Sequence, residues 1–291
     1  MRTNIKQKLN IYKSDLKTKG LKRSIIDRIV KYKLTRKIYG LLTPSKIIVH
    51  DSIMYLDKDD TIISHNLLLD KTWERNSTRT ILKNLNLGDT FVDVGAHIGY
   101  YSLLASRIVG NKGKVYAIEP DNKNYSLLKK NIKANKYKNI QIIKKAISEK
   151  SGRINFYTND SNTGDNRTYM NNNKSHISII QSATLDSLFP NLKIDFIKMD
   201  IQGSELKALL GMKKILKENK KIKLLIEFWP DGLSQNNGSF EKLLTLFDKY
   251  SFELFFVDDR KTTSPKTNTK EITKLVNSNK LYDTNLLCIR N

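Results

Sequence analysis

The chain has 291 residues, of which 39% are apolar, and a formal net charge of +23. That is enough apolar material for one large domain, and the single cysteine, Cys288, excludes an internal disulfide. Four histidines without ligand-like spacing argue against a metal site, and no apolar run approaches the roughly 18 residues of a membrane span. We therefore expect a cytoplasmic protein.

Residues 1–46 form a basic arm. They hold 14 Lys or Arg against Asp15 and Asp27, which gives this arm +12 of the total of +23. Within it, residues 24–42 carry apolar side chains at three- and four-residue spacings, which predicts an amphipathic helix with a basic outer face. Such a face favours an anionic partner: a phosphorylated or lipid-linked acceptor, or a membrane surface at which the protein lies peripherally.

Residues 47–88 predict a hairpin around Asp51–Ser52 and a helix that ends at Gly88, leading into the core. From residue 89 to residue 291, apolar strands alternate with helices. The first five strand-like runs are TFVDV, KVYAIEP, NIQIIKKAI, IDFIKMD and IKLLIEFWP. One helix is predicted over residues 204–217. This alternation predicts an α/β domain with a mostly parallel sheet and helices on both faces.

The end of the chain has a different pattern. The runs SFELFFVDD and TNLLCIRN predict an antiparallel strand pair at the sheet edge. The stretch between them, residues 260–280, is poor in apolar residues, so no packed helix is expected there. A second polar stretch, YTNDSNTGDNRTYMNNNKSHIS, is long enough to be a functional loop.

Gly95 and Gly99 lie where the first strand passes into a helix, a position at which parallel sheets bind ligands. Glycine lets the backbone approach a ligand closely. A dinucleotide site needs a further glycine where His97 stands, which weakens the dehydrogenase interpretation. Glu119 closes the next strand, 26 residues after Asp93, where a carboxylate can accept hydrogen bonds from both ribose hydroxyls.

Four ordered stretches carry a resemblance: TFVDVGAHIGYYS, KVYAIEPDNKNYSLLKKNI, SNTGDNR and IDFIKMDIQGSELKALLGMKKIL. Together they resemble the FkbM-type family of S-adenosylmethionine-dependent methyltransferases over residues 47–291. The resemblance implies a class I, Rossmann-like sheet of seven strands with a reversed last strand, and methyl transfer mostly to hydroxyl oxygens of sugars, polyketides or related metabolites.

The resemblance also implies a cofactor site for S-adenosylmethionine. Asp93, Gly95, Ala96 and His97 would line its methionine end, with Gly99 in the same turn. Glu119 would bind the ribose. Two further residues, Ala146 and Ile147, would lie at the adenine.

The loop SNTGDNR is interpreted as a lid or substrate loop, with Asp165 and Arg167 as its working residues. Asn166 stands where many relatives have histidine, so a proton-transfer role at that position is not expected here. A neutral alcohol needs a group that removes its proton. Asp200 and Glu205 are the leading catalytic pair, with Glu227 and His97 behind them.

Two other interpretations stay open. The basic arm would suit a nucleic-acid methyltransferase, although it has few aromatic residues for base stacking. Alternatively, the protein is a noncatalytic cofactor-binding scaffold or membrane-surface protein that works through its amphipathic helix. Detection of methyl transfer to any acceptor would discriminate against the second of these.

Overall fold

The computed structural model describes residues 44–60, 62–159, 162–170, 176–261 and 263–290. The helix predicted over residues 24–42 lies outside the described residues. The strands are β1 (Lys46–Val49), β2 (Ser52–Tyr55), β3 (Thr90–Val94), β4 (Lys114–Ile118), β5 (Ile140–Ile143), β6 (Ala146–Ile147), β7 (Gly152–Thr158), β8 (His176–Ala183), β9 (Phe196–Met199), β10 (Lys223–Phe228), β11 (Glu253–Val257), β12 (Lys266–Thr267) and β13 (Thr284–Ile289).

Ten helices and one short 3₁₀ turn are found within the described ranges. The helices are α1 (Ile63–Asp70), α2 (Arg75–Asn84), α3 (Tyr100–Val109), α4 (Asn122–Ala134), α5 (Leu185–Leu188), α6 (Glu205–Leu210), α7 (Lys213–Glu218), α8 (Pro230–Gln235), α9 (Phe240–Lys249) and α10 (Thr269–Asn277). The 3₁₀ turn covers Thr163–Asp165.

The central sheet has the strand order β12-β11-β13-β10-β9-β3-β4-β5. Neighbours from β10 to β5 pair in parallel, whereas β13 runs antiparallel to both β10 and β11. The predicted parallel sheet with a reversed last strand is therefore confirmed. It has an eighth strand at its edge, the two-residue β12, beyond the seven that were expected.

Buried apolar residues cover both faces of this sheet, as the alternation of strands and helices predicts. On β3, Val92 and Val94 face one core and Phe91 faces the other. Because side chains alternate along a strand, Asp93 lies on the same face as Phe91. Its register partner is Lys198 of β9, which is also buried. The sheet thus carries a buried polar pair near the carboxyl ends of its central strands.

Several local predictions are wrong. Residues 260–280 contain α10, because Ile272 is fully buried and Leu275 and Val276 pack beside it. The single helix predicted over residues 204–217 is divided into α6 and α7 near Gly211, where a Cβ atom would lie 2.3 Å from the Ser148 carbonyl oxygen.

The run NIQIIKKAI also differs from the prediction, because it forms two strands rather than one. Its first part is β5 in the central sheet. Its last two residues are β6, which joins a second, three-stranded sheet in the order β6-β8-β7. The polar stretch that was predicted as a loop, residues 157–178, includes the end of β7 and the first three residues of β8.

The predicted hairpin at the start of the domain is formed by β1 and β2. His50 and Asp51 make its turn with positive φ angles of 47° and 56°. The next segment holds two helices, α1 and α2, in place of the single predicted one. The connection between them ends at Glu74, whose φ is also positive, at 42°.

Candidate active site

A cleft opens at the carboxyl ends of β3, β4 and β9, with an empty volume of about 640 Å³. We call it the first cleft. Of the predicted site residues, it is lined by Gly95, His97, Glu119, Ala146, Ile147, Asn166 and Asp200.

Gly95 is required by the packing of two strand ends. Its φ is +82°, and a Cβ atom there would lie 2.0 Å from the Asp200 carbonyl oxygen. No side chain fits in that space, so glycine lets the turn after β3 lie directly against the turn after β9. The sequence analysis expected the glycine to make room for a ligand, whereas its closest neighbour is the protein's own backbone.

Glu119 is held in the wall of the first cleft and is 4% exposed. Its two carboxylate oxygens each accept a backbone N–H, from His97 at 2.8 Å and from Asp121 at 2.9 Å. Burial raises the pKa of Glu119 from 4.5 to about 8, against the lowering effect of these hydrogen bonds. Each oxygen keeps a lone pair, so in its ionised form the carboxylate can still accept hydrogen bonds from two hydroxyl groups of one ligand.

Part of the connection between β7 and β8 lines the first cleft, and we call the described residues 162–170 the lid segment. Thr163 anchors it: its hydroxyl shares a 2.8 Å hydrogen bond with His97 Nε2, and its carbonyl accepts from Asn124 Nδ2 at 3.4 Å. Of the loop residues Asp165, Asn166 and Arg167, only Asn166 lines the cleft. Asp165 and Arg167 are paired with each other behind it.

Arg167 is 8% exposed and braces the lid segment against α8 and the loop before it. Its guanidinium lies 4.6 Å from the centre of the Trp229 ring, and Nη1 donates to the Tyr169 hydroxyl at 3.3 Å. A charge this deeply buried needs partners on every side, and Asp165 supplies the opposite charge. Arg167 therefore acts on the shape of the lid segment.

Three predicted cofactor residues do not line the first cleft. Alternation along β3 places Asp93 on the opposite face, where its Oδ2 accepts from Ser102 at 2.6 Å. Burial raises the pKa of Asp93. Ala96 packs against Ala117 and Leu128. A Cβ atom on Gly99, whose φ is +95°, would lie 2.6 Å from Leu128, so this glycine serves helix packing.

The two predicted catalytic carboxylates differ in position. Asp200 lines the first cleft. Its Oδ2 accepts from Lys198 Nζ at 2.9 Å, and Lys198 lowers its pKa even though burial alone would raise it. Glu205 is 0% exposed and accepts the backbone N–H of Ile201 at 2.9 Å, beneath the turn that follows β9. A carboxylate closed off in this way holds the turn, and the structure does not place it on the cleft.

A second cleft, of about 580 Å³, lies beside the first, at the ends of β10 and β11 and the start of β13. It is lined by Trp73, Glu74, Glu227, Val257, Asp258, Asp259, Arg260, Asp283, Thr284 and Asn285. Five of these residues carry carboxylates. The guanidinium of Arg260 is already paired with Asp258 at 2.8 Å and with Asp283 at 3.1 Å.

Gln202 connects the two clefts. It lines the first cleft, and its Nε2 donates to Asp200 Oδ1 at 3.0 Å and to Glu227 at 3.0 and 3.1 Å. Glu227 lines the second cleft. Burial, with Asp200 nearby, raises its pKa well above the ordinary value. A carboxyl pair bridged by one amide thus forms the wall between the clefts.

Glu74 reaches the same wall from the connection between α1 and α2. Its Oε2 accepts from the Tyr101 hydroxyl at 2.8 Å, and burial raises its pKa to about 7. The sequence analysis missed Glu74, Gln202 and Asn124. Gln202 and Asn124 lie within the stretches that carried the family resemblance, whereas no local pattern marks Glu74.

The first cleft fits S-adenosylmethionine. Glu119 offers two acceptor oxygens to a ribose, and Ala146 and Ile147 add apolar surface for a base. Asn124 is 2% exposed, lines the cleft, and has an oxygen without a hydrogen-bond partner among the described residues. An orphaned buried acceptor of this kind is expected where a ligand supplies the missing donor.

The described ranges lack two features, a metal-binding cluster and a membrane-spanning helix. They contain no group of three or more His, Cys, Asp or Glu side chains arranged to hold a metal ion. None of their helices combines the length and the apolar character that are needed to cross a bilayer.

Comparisons with known proteins give several matches. The family model for the FkbM methyltransferase domain matches residues 93–254, more than half of the chain. A protein of Sulfolobus acidocaldarius described as probable cobalt-precorrin-6B C(15)-methyltransferase (decarboxylating) is 41% identical over 68 residues, 23% of this chain and 35% of that protein. The match thus spans about a third of that relative's length.

Among solved structures, a SAM-dependent methyltransferase from Aquifex aeolicus is 18% identical, with a TM-score of 0.40, over 74% of this chain and 89% of that one. An rRNA methylase from Streptococcus thermophilus is 10% identical, with a TM-score of 0.40, over 74% and 93%. The family model matches the strands and turns that build the first cleft. The chain therefore belongs to the FkbM family of methyltransferases, with S-adenosylmethionine as its cofactor.

Proposed function

We propose that the protein transfers a methyl group to a hydroxyl oxygen of a neutral, polyhydroxylated acceptor, such as a sugar or a glycan unit, which binds in the second cleft. The observation that carries this proposal is the wall between the clefts. Asp200 faces the cofactor side, Glu227 faces the second cleft, and Gln202 bonds to both. A methyl acceptor in the second cleft therefore lies next to the cofactor.

The lining of the second cleft supports an acceptor rich in hydroxyl groups. Carboxylates such as Glu74 and Asp259 accept hydrogen bonds from hydroxyls, and the indole of Trp73 offers a flat apolar surface. A phosphate would meet like charges here, because Arg260 is the only basic residue among the described residues of the lining and is already paired. A phosphorylated or nucleic-acid acceptor would therefore have to bind its phosphates elsewhere, for example on the basic arm.

The wall residues have complementary roles in this proposal. The bound cofactor supplies an electrophilic methyl group. The acceptor oxygen forms a bond to the methyl carbon, the carbon–sulfur bond breaks with its electron pair going to sulfur, and the hydroxyl proton passes to a carboxylate. Glu227 takes that proton, since a raised pKa makes it the stronger base of the pair. Asp200, with its lowered pKa, stays ionised and orients Gln202.

Incubation with methyl-labelled cofactor tests the proposal. The acceptor panel contains neutral glycosides, the matching sugar phosphates, amines and RNA, and the label is located by mass spectrometry and NMR. We expect the label on an oxygen of a neutral glycoside. A new methyl on nitrogen or carbon, on RNA, or only on the phosphorylated members of the panel contradicts the proposal.

Substitutions then test the roles of the wall residues. Glu227→Gln should lower turnover by about 10² to 10⁴, the usual value of general base assistance, while leaving the affinity for S-adenosylhomocysteine unchanged. Turnover of the parent should rise with pH as Glu227 ionises, and that rise should disappear in the variant. Glu241→Gln, an exposed carboxylate on α9, is the matched control. Normal turnover in both Glu227→Gln and Asp200→Asn would show that the carboxyl groups of the wall have no role in the reaction.

A further inference from the structure

Asn124 is a buried polar residue of the first cleft that the methyl-transfer mechanism does not use. It occupies the first turn of α4, where its backbone N–H donates to the capping carboxylate of Asp121 at 2.8 Å. The cap fixes the position of the residue, and its side chain is 2% exposed. It lines the first cleft on the same side as Glu119 and Pro120, at the end of β4.

The two ends of the Asn124 carboxamide have different surroundings. Nδ2 donates to the carbonyl oxygen of Thr163 in the lid segment at 3.4 Å. Since only the nitrogen of an amide can donate to a carbonyl, this contact identifies the other atom as the oxygen. Within the described chain, Oδ1 has no hydrogen-bond partner. An unsatisfied buried acceptor costs free energy, which a ligand donor in the cleft would recover.

We infer that Asn124 binds the nucleoside half of the cofactor through Oδ1 and, through Nδ2, couples occupancy of the site to closure of the lid segment. The inference rests on the proposed methyl-transfer function. The nucleoside is favoured because Asn124 and Glu119 both line the cleft, and the Glu119 carboxylate is the group proposed to bind the ribose. A ribose hydroxyl or an adenine amino group supplies the donor that Oδ1 lacks.

The coupling follows from the geometry of one rigid amide. A donor on Oδ1 fixes the plane of the carboxamide, and the same plane aims Nδ2 at the lid segment. His97 makes the second contact to the same lid residue, between Nε2 and the Thr163 hydroxyl at 2.8 Å. Binding of the nucleoside should therefore order the lid segment before an acceptor arrives, which would keep water away from the methyl group.

Calorimetry with S-adenosylhomocysteine and with adenosine tests the ligand contact. Asn124→Ala should weaken both ligands by a similar factor, roughly 5- to 50-fold, the usual effect of losing one hydrogen bond to a buried group. Asn122→Ala, an exposed residue of the same helix, should leave both affinities unchanged. The inference is overturned if Asn124→Ala binds either ligand as tightly as the parent does. It is also overturned if only the affinity for S-adenosylhomocysteine falls.

Asn124→Asp tests the coupling and guards against a folding defect in the alanine variant. It keeps an acceptor oxygen and nearly the same shape, but an ionised carboxylate cannot donate to Thr163. Hydrogen exchange of the backbone amides of residues 162–167 is the second readout. S-adenosylhomocysteine should slow this exchange in the parent and slow it much less in Asn124→Asp.

Failure of the proposed function and failure of the coupling by Asn124 give different results. A parent protein that does not bind S-adenosylhomocysteine contradicts the proposed function itself. A parent that binds it, together with equal lid protection in the parent and in Asn124→Asp, contradicts only the coupling by Asn124.

Discussion

Glu119 links the cofactor site to the stability of the protein. Its pKa is raised from 4.5 to about 8, chiefly by burial, so the folded protein holds a proton that the unfolded chain releases near pH 4.5. The stability from this group is therefore fully present below pH 4.5 and is lost as the pH rises towards 8. We predict that the free energy of unfolding falls between pH 5 and pH 8, and falls less in Glu119→Gln.

Denaturant unfolding of parent and variant at several pH values measures this effect. Other buried carboxyls, such as Glu74 with a pKa of about 7, add to the fall in the parent, so the difference between the two proteins is the quantity that reports Glu119. Glu149→Gln, an exposed residue, should reproduce the parent curve. Parallel curves for the parent and Glu119→Gln would mean that Glu119 titrates alike in the folded and unfolded chain.

At the level of single residues, the sequence placed Gly95, His97, Glu119 and Asp200 on the first cleft because they follow strands whose carboxyl ends share one edge of the sheet. It could not separate them from Asp93, Gly99 or Glu205. Asp93 lies on the other face, and the other two pack against Leu128 and the turn at Ile201. Those differences depend on close tertiary contacts, which cannot be deduced from the spacing of residues along the chain.

At the level of elements, the lid segment owes its shape to Arg167. Removal of this guanidinium breaks the ion pair with Asp165 and the contact with the Trp229 ring. We predict that Arg167→Ala lowers turnover or cofactor affinity roughly 10- to 100-fold, the usual range for a hydrogen bond to a charged group. Steady-state kinetics and calorimetry with S-adenosylhomocysteine provide the measurement.

Arg153→Ala is the matched control, since Arg153 is an exposed arginine on β7 in the same small sheet. It should behave like the parent. If Arg167→Ala also retained full turnover and affinity, the lid segment would be a plain connection between β7 and β8.

Among the elements, those with continuous apolar strands or clear helical periodicity were predictable. Helix α10 was not predicted because its three apolar residues, although at helical spacing, lie within a polar stretch. Asn268 is the N-cap of this helix. The second sheet was missed for a related reason: Ile177 and Ile179 of β8 are 62% and 70% exposed, so no buried pattern marks the strand. In both cases the element has few buried residues, so the sequence shows little pattern that would predict it.

At the level of the whole molecule, charge is distributed unevenly. The chain carries +23 overall, yet the lining of the second cleft is dominated by carboxylates. The positive charge therefore does not describe the site at which the acceptor is proposed to bind. Of the excess, +12 belongs to residues 1–46, and the described residues that line the two clefts all come later in the chain.

This separation predicts the effect of removing the basic arm. We expect a protein lacking residues 1–43, which leaves β1 complete, to bind S-adenosylhomocysteine within about twofold of the parent, because all the described residues that line the first cleft lie beyond residue 60. Activity of the parent on a neutral glycan carried by an anionic lipid should fall as salt rises from 50 to 500 mM, since screening weakens the attraction between the arm and the anionic carrier. The shortened protein should have lower activity at low salt and little dependence on salt. Loss of cofactor binding in a folded, shortened protein would show that the arm completes the site, and equal salt dependence in the two proteins would place the electrostatic attraction elsewhere on the surface.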